Sequence, residues 1–467
     1  MPKAPQLLVF GVLTAVGALL AWVMVGTGLA NYDTAYSLVW GGDLAHGRLP
    51  DYDVPVAPTP HPLATLLGLV LAPLGAGAET AVVVAAFAFL GALAALTYLL
   101  GAHWFGPPAG AVAAVVILTR EPVLSFGVRA YVDLPYLVLV LAALLIEARR
   151  PRAGVPVLLA LGLAGLLRPE AWLLSAAYVA YLGLSGERIL APALVAAAAP
   201  LLWALSDLAI AGDPLFSLTD TRAGAEVLQR TTGLANVPLT VPRRLGEIVR
   251  EPVLAGAAAG GVLAVGLARD RIRLPLAAGV LALGAFCVLA AAGLPILGRY
   301  LLLPATLLAI ACGAGAFGWT LLAPGHAWRR RWQAIGVLVV LALLAFTPRQ
   351  VQRVERLRGA IGIQREIRDD LHALAGRPPL RSGCRPVTVP NHRPVPLLAL
   401  WLQRPPREIV SAQLQRPGRG VFVDPATPRV ERNFTLDPKD PGVLTAEVPS
   451  GFARAAQNPS WVIYARC

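Results

Sequence analysis

Long apolar runs alternate with short polar stretches over most of the chain. The first run covers residues 6–29, and its length predicts an uncleaved membrane span, since a span needs about 20 apolar residues. Ten further runs predict ten further spans, several of them shorter than that length. These spans are predicted at residues 79–100, 108–118, 131–147, 154–167, 171–184, 189–210, 252–267, 274–294, 301–322 and 334–346.

A long polar stretch over residues 31–63 follows the first run. It contains four acidic residues, Asp33, Asp43, Asp51 and Asp53. Residues 62–75 are apolar again but too few to cross a bilayer comfortably. We therefore expect a helix there that lies at the outer surface or dips into it.

Four short loops are basic or near neutral, at residues 147–154, 185–189, 268–273 and 326–332. Short loops rich in Arg and Lys are typical of the cytoplasmic side. Eleven spans with the N-terminus inside place all four loops there. The same count places the acidic first loop, the loop 212–250 and the tail outside. The pattern predicts a multi-pass protein of the cytoplasmic membrane.

The tail has a different pattern. Its first part carries apolar residues at approximately helical spacing, and one further helix is predicted at residues 395–402. Four short strand-like runs are predicted at residues 386–390, 407–412, 420–424 and 461–467. This predicts a small α/β domain over residues 348–467, after a transmembrane domain over residues 1–347 with outer loops 30–77 and 212–250. Cys384 and Cys467 bracket the small domain, as a disulfide pair or as two free thiols.

Composition supports the membrane class. The chain is 56% hydrophobic and 14% charged, whereas a soluble protein carries about a quarter charged residues. The net charge of +13 comes almost wholly from Arg, and these residues are dispersed among spans and loops. Phosphate-cradling loops, dinucleotide fingerprints and zinc-ligand spacings are absent from the sequence. The sequence therefore does not support cytosolic nucleotide chemistry or nucleic-acid binding.

Asp33 directly follows the first predicted span. A carboxylate there is a candidate general base for an acceptor hydroxyl, and it is equally suited to capping a surface helix that starts near Thr34. Asp133 opens a later span, where a buried charge is costly unless it has a partner or a function. Its alternative role is an ion pair with Arg129, four residues earlier.

Arg168 and Glu170 flank a proline between two short apolar runs, which suits either an anion site or a structural ion pair. Arg299 lies at the outer end of a predicted span. Its planar guanidinium can hold a phosphate while Tyr300 stacks or donates, or it can simply extend to the membrane surface. His61 lies between two prolines, where a structural hydrogen bond is more common than metal binding.

These residues occur in segments that resemble the GT-C superfamily of membrane glycosyltransferases. The resemblance is to bacterial family 39-like members, which are related to protein O-mannosyltransferases and lipid A aminoarabinose transferases. It rests on the order and sidedness of several loose motifs. They are the acidic first loop with Asp33, GRLPDYD, PTPHPLATLLG, Asp133, RPEAWLL, GDPLFSL, GRYLLLP and an outer C-terminal domain.

The resemblance implies an all-α polytopic fold of about eleven transmembrane helices with a small C-terminal α/β domain. It also implies transfer of a sugar from a polyprenyl-phosphate donor to an acceptor hydroxyl of a lipid, glycan or protein, on the outer face of the membrane. Asp33 would be the catalytic base, and Arg299, helped by Arg168, would neutralise the leaving phosphate. The implied donor-binding set is Asp133, Arg168, Glu170, Arg299, Tyr300 and His61.

One departure concerns metals. Many relatives have an acidic pair in the first loop, whereas this chain has Asp33 followed by Thr34. We expect no organic cofactor and assign no metal ligands, leaving open a divalent ion. The alternative function is a secondary transporter or lipid flippase. Transporters of that kind commonly carry internal repeats with interrupted spans, and the polar residues of this chain gather at one membrane face instead.

Overall fold

A computed structural model describes residues 4–381, 384–415, 417–436 and 440–467. A helix overlaps each of the eleven predicted spans. The helices are α1 Ala4–Val25, α2 Tyr32–Ala45, α3 Pro62–Leu71, α4 Gly77–Phe105, α5 Pro107–Thr119, α6 Glu121–Val128, α7 Asp133–Arg149, α8 Val155–Gly165, α9 Glu170–Leu184, α10 Leu190–Ala211, α11 Phe216–Val227, α12 Val237–Val249, α13 Glu251–Leu267, α14 Arg269–Ala291, α15 Leu302–Phe317, α16 Arg329–Ala375 and α17 Val395–Leu402.

The protein is a multi-pass membrane protein. Within the described ranges, six helices are long and apolar enough to cross a membrane: α1, α4, α10, α14, α16 and the segment that contains α15. The number rises to eight if two bent pairs, α5 with α6 and α12 with α13, each count as one span. Helices α3, α8 and α9 are apolar but shorter. The count of eleven spans and their orientation stay predictions.

The chain divides into two compact units. Unit 1 comprises Met1–Gly26, Val84–Trp203 and Thr232–Leu357. Unit 2 comprises Thr27–Val83, Ala204–Thr231 and Arg358–Cys467. Each unit gathers segments from distant parts of the sequence. The sequence-based domain bounds, with their division at residues 347 and 348, stay a prediction.

Close helix packing in unit 1 depends on glycine. A Cβ atom placed on Gly313 of α15 would lie 2.2 Å from the carbonyl oxygen of Ala109 in α5. One placed on Gly260 of α13 would lie 2.0 Å from the carbonyl oxygen of Ala311. Both distances are far below van der Waals contact, so only glycine lets these backbones approach. Small residues at such crossings are typical of membrane helices, where dispersion forces drive packing.

Unit 2 contains a five-stranded sheet in the order β2-β1-β3-β5-β4. The strands are β1 Val387–Val389, β2 Ile409–Ser411, β3 Gly420–Pro425, β4 Ala453–Gln457 and β5 Trp461–Arg466. β1 pairs with β2 and β3 in parallel, and β5 pairs with β3 and β4 in antiparallel. Cys384 and Cys467 form a disulfide, the first of the two alternatives.

The core of unit 2 joins the sheet to the acidic first loop and to the end of α16. Trp461 of β5 is fully buried, and its Nε1 donates to the carbonyl oxygen of Ile367 in α16 at 2.8 Å. Trp40 of α2 belongs to the same buried cluster, and its Nε1 donates to the carbonyl oxygen of Asp51 at 3.1 Å. The first loop is therefore packed into a folded unit with the tail.

Two details differ from the sequence-based expectations. The last span and the helical stripe after it were expected as separate elements, but they form the single 47-residue helix α16, which continues through Pro348. The change from apolar to charged residues at this point does not break the helix. β4 was not predicted, because ARAAQ lacks the β-branched and aromatic residues that indicate a strand.

Candidate functional site

A cluster of charged side chains in unit 1 is built around Asp133, the first residue of α7. The Asp133 side chain is only 2% exposed. Its Oδ1 accepts a hydrogen bond of 2.5 Å from Nη1 of Arg168, and its Oδ2 lies 3.7 Å from Nε of Arg299. A buried carboxylate is stable only with such partners, because removal from water costs several kcal/mol. We call Asp133, Arg168, Glu170, Arg299 and Tyr300 the Asp133 cluster.

Arg168 holds this cluster together. Its Nε donates to Oε1 of Glu170 at 3.0 Å, and its Nη2 forms a second, shorter bond to the same oxygen. Its Cζ lies 3.9 Å from the centre of the Tyr300 ring. The guanidinium is 6% exposed, so it is enclosed by two carboxylates and one aromatic face. The structure thus contains the ion pair that the sequence left as one of two alternatives.

Arg299 occupies a different environment within the cluster. It lies in the short 3₁₀ turn Gly298–Leu301 and keeps 18% of its side chain exposed. Its Cζ lies 5.0 Å from the centre of the Tyr131 ring and 5.8 Å from that of Tyr300. Of the two arginines in the cluster, Arg299 is the more accessible to an incoming anion.

Two buried carboxylate oxygens of the cluster could accept further hydrogen bonds. Oδ2 of Asp133 and Oε2 of Glu170 accept none from the residues that the structure describes. A buried acceptor without a donor costs about 1–3 kcal/mol. Both atoms are enclosed in the structure, so a hydroxyl group of a ligand reaches them only if the cluster moves.

Asp33 lies in unit 2, in the first turn of α2. The helix is capped by the preceding Asn31, whose Oδ1 accepts a hydrogen bond of 2.9 Å from the backbone N–H of Thr34. The alternative that Asp33 caps this helix is therefore wrong, because Asn31 already does so. A carboxylate in the first helical turn is also favoured by the helix dipole. Asp33 is partly buried.

The backbone just before Asp33 is fixed by two arginines of α16. Nη1 of Arg368 donates to the carbonyl oxygen of Ala30, and its Nη2 forms an ion pair with Glu79. Nη1 of Arg365 donates to the carbonyl oxygen of Gly28 at 3.2 Å. The segment that enters α2 is thus bonded to a long helix at two points.

Tyr32 links the same turn to the tail. Its hydroxyl donates to the carbonyl oxygen of Val56 at 3.0 Å, and its ring meets that of His392 edge-on at 5.2 Å. Burial, together with the charges of Arg393 and Arg230 and against that of Asp440, lowers the pKa of His392 to about 3. The imidazole is therefore neutral in the folded protein at neutral pH.

An acidic residue and two arginines neighbour His392. Arg230 binds Asp440 through two hydrogen bonds, of 2.8 and 3.0 Å, and Nη2 of Arg393 lies 3.7 Å from the same carboxylate. Burial alone would raise the pKa of Asp440, but the bonds from Arg230 and the charges of both arginines outweigh it and lower the pKa. Asp440 is therefore ionised and ties Arg230, in the loop 212–250, to the tail.

The sequence-predicted residues fall into two groups. Unit 1 brings together Asp133, Arg168, Glu170, Arg299 and Tyr300, whereas Asp33 and His61 lie in unit 2. His61 is buried directly before α3. The catalytic role of Asp33 and the donor-binding roles of the other six stay predictions. No group of three or more His, Cys, Asp or Glu side chains in the described ranges is placed to hold a metal ion.

Several solved structures are similar to this chain, including two of ArnT and one of AftD. ArnT from Cupriavidus metallidurans bound to undecaprenyl phosphate is 14% identical, with a TM-score of 0.56 over 99% of this chain and 98% of that one. Apo ArnT is 14% identical, with a TM-score of 0.53 over 97% of each chain. Arabinofuranosyltransferase AftD from Mycobacteria is 16% identical, with a TM-score of 0.51 over 98% of this chain and 40% of that one. The chain has the GT-C fold.

This fold likeness confirms the expected class, a helical membrane protein with a small C-terminal α/β domain. No protein-family model and no curated protein matches the sequence. At 14–16% identity this likeness concerns the fold alone.

Sequence reasoning missed several residues around the candidate site. Tyr131 and Tyr136 flank Asp133, and their rings lie 5.0 Å from Cζ of Arg299 and 5.8 Å from Cζ of Arg168. The sequence could have indicated these two tyrosines, because AYVDLPY places an aromatic residue on each side of Asp133. The sequence did not distinguish Arg368, because it is one of many charged residues in α16.

Proposed function

We propose that this protein is a membrane glycosyltransferase that moves a sugar from a polyprenyl-phosphate donor to an acceptor hydroxyl. The observation that carries the proposal is the fold likeness to ArnT, which covers nearly the whole of both chains. That structure contains undecaprenyl phosphate, a lipid-linked phosphate of the kind that a polyprenyl-phosphate sugar releases. The acceptor is a hydroxyl of a lipid, a glycan or a protein, and transfer takes place on the outer face of the cytoplasmic membrane.

Arg299 neutralises the donor phosphate in this proposal. Its guanidinium is partly exposed, and Asp133, at 3.7 Å, together with the rings of Tyr131 and Tyr300, orients it. Arg168 acts indirectly, because both of its carboxylate partners and Tyr300 already surround it. Oδ2 of Asp133 and Oε2 of Glu170 are the acceptors that suit sugar hydroxyls. His61 completes the predicted donor-binding set.

Asp33 is the proposed general base. It takes the proton of the acceptor hydroxyl, while the hydroxyl oxygen forms a bond to the anomeric carbon of the sugar. The bond from that carbon to the phosphate oxygen breaks, and its electron pair leaves with the polyprenyl phosphate. A base at the acceptor and a cation at the leaving group stabilise opposite ends of one displacement.

The test is transfer of labelled sugar by the purified full-length protein in lipid nanodiscs. A panel of polyprenyl-phosphate sugars is offered with a membrane lipid extract as the acceptor source, and empty nanodiscs serve as the control. Donor-dependent appearance of label in a product supports the proposal. No label transfer from any donor, combined with movement of the intact donor across the membrane of proteoliposomes, contradicts it and favours the flippase alternative.

A further inference from the structure

A five-residue sequence, Arg-Glu-Pro-Val-Leu, occurs twice in unit 1, at residues 120–124 and 250–254. Both copies lie where an apolar helix is broken. Arg120 stands between α5 and α6, whose axes bend by 63°, and Arg250 stands between α12 and α13, whose axes bend by 105°. In each copy the proline occupies the first turn of the second helix, where its missing N–H is tolerated.

The two breaks are in contact. Nη1 of Arg120 donates to the carbonyl oxygen of Val249, the residue before Arg250, at 3.3 Å. Its Nε donates to the carbonyl oxygen of Val116 at 3.2 Å. Helix α16 meets the same point, because Nε2 of Gln350 donates to the carbonyl oxygen of Thr119 at 2.6 Å. Arg353 lies three residues after Gln350 on this helix.

Arg120, Arg250 and Arg353 therefore lie near one another at this point. Arg120 is 6% exposed, and the charges of Arg250 and Arg353 repel its own. Glu251, Glu121 and Glu247 attract Arg250 electrostatically, but none of the three arginines forms an ion pair with a carboxylate in the described part of the chain. A buried cation is costly, and like charges nearby increase the cost. An anion bound among the three arginines would offset both the cost of burying a cation and the repulsion between like charges.

We propose that Arg120, Arg250 and Arg353 bind the phosphate group of an anionic phospholipid. Guanidinium groups bind phosphate oxygens through pairs of parallel hydrogen bonds, so this chemistry fits their forked donors. A lipid is the source because apolar side chains on the adjoining turns of α5 and α16, Val115, Leu344 and Val351, are exposed as they would be against acyl chains. This site is separate from the Asp133 cluster and does not depend on the proposed glycosyl transfer.

The experiment uses the full-length protein, purified in a nonionic detergent and depleted of lipid. Its thermal midpoint is followed while phosphatidylglycerol or zwitterionic phosphatidylcholine is added, and inorganic phosphate is tested separately. The variants are Arg353→Gln and Arg250→Gln, whose side chains are only partly buried and whose loss should leave the fold intact. The matched control is Arg356→Gln, an exposed arginine one turn later on α16.

Phosphatidylglycerol should raise the midpoint of the wild type saturably, and phosphatidylcholine should not. Either variant should need about tenfold more phosphatidylglycerol for half of the effect, the factor expected for one lost charge-assisted bond. The control should respond as the wild type does. Unchanged responses in both variants would overturn the site. A response to inorganic phosphate without one to phosphatidylglycerol would overturn the assignment to a lipid.

Discussion

The guanidinium carbon of Arg168 lies 3.9 Å from the centre of the Tyr300 ring, while the same guanidinium is bonded to Asp133 and Glu170. Only arginine can stack on a ring and bind two carboxylates at once, because its donors spread from a planar group. One side chain thus fixes residues of three distant segments. The fork of Arg168 is occupied by the protein itself, whereas Arg299 keeps 18% of its side chain exposed.

Removal of Arg168 should destabilise the protein strongly. Arg168→Gln leaves two buried carboxylates without their main partner, and breaking such a pair costs about 3–5 kcal/mol in the free energy of unfolding. The double variant Asp133→Asn with Arg168→Gln should lose less than the sum of the two single losses, since it removes both charges. Thermal midpoints in detergent measure both effects. Strictly additive losses would show that the two side chains do not interact.

Arg299→Gln should weaken donor binding and leave the fold intact. The lost charge-assisted bond to the donor phosphate is worth about 1.5–3 kcal/mol, so the KM for the polyprenyl-phosphate sugar should rise about 10- to 100-fold. Arg243→Gln is the matched control, because Arg243 is 74% exposed and pairs with Glu247 on the surface. If both variants change KM equally, general surface charge rather than a specific contact accounts for donor affinity.

Arg368 should act as a positioning residue for Asp33. Arg368→Gln frees the carbonyl oxygen of Ala30, three residues before Asp33, and a small misplacement of a catalytic group can cost about 100-fold in rate. We expect kcat to fall about 10- to 100-fold, with donor KM unchanged and partial recovery in Arg368→Lys. Steady-state kinetics separate these quantities. The control, Arg429→Gln, breaks only the exposed pair with Glu366. A fall in thermal midpoint without any change in kcat would reduce Arg368 to a structural role.

His392 should make unit 2 sensitive to acid. Its pKa is about 3 when folded, because burial and Arg393 disfavour the charged form, and about 6.5 when unfolded. The neutral form is therefore favoured on folding, and its stabilising contribution is complete above about pH 6.5. Below that value the protein should lose about 1.4 kcal/mol per pH unit until the folded pKa is reached. Thermal midpoints from pH 7.5 to 5 for the wild type and His392→Gln test this. Parallel curves for the two proteins would contradict it.

The sequence predicted the helices and strands better than it predicted which distant residues contact each other. Apolar length located each spanning helix, and β-branched runs located four of the five strands, because these features depend on neighbours in the chain. β4 was not predicted because it is a mostly exposed edge strand, and such a strand does not need large apolar residues. The continuity of α16 was not predicted, because one proline and a change from apolar to charged residues are not sufficient to end a helix.

Contacts between distant segments could not be read from the chain. Asp133 had an obvious candidate partner in Arg129, four residues away, whereas the structure pairs it with Arg168 and Arg299, 35 and 166 residues away. Local spacing indicates which residues can meet on one helix, but the packing of several helices decides which do. The contacts of Arg368 could not be predicted for the same reason, because its bonds to Ala30 and Glu79 arise only from the tertiary fold.

The most direct test of the account is transfer of labelled sugar from a polyprenyl-phosphate donor by the wild type, Asp33→Asn and Asp53→Asn. Asp53 is an exposed acid of the same polar stretch, residues 31–63, and serves as the matched control. We expect Asp33→Asn to keep the wild-type thermal midpoint and to lose activity by about 100- to 10,000-fold, the usual contribution of a general base. Asp53→Asn should remain active. Transfer by Asp33→Asn at the wild-type rate would contradict the account, because no proton acceptor would then be needed at this position.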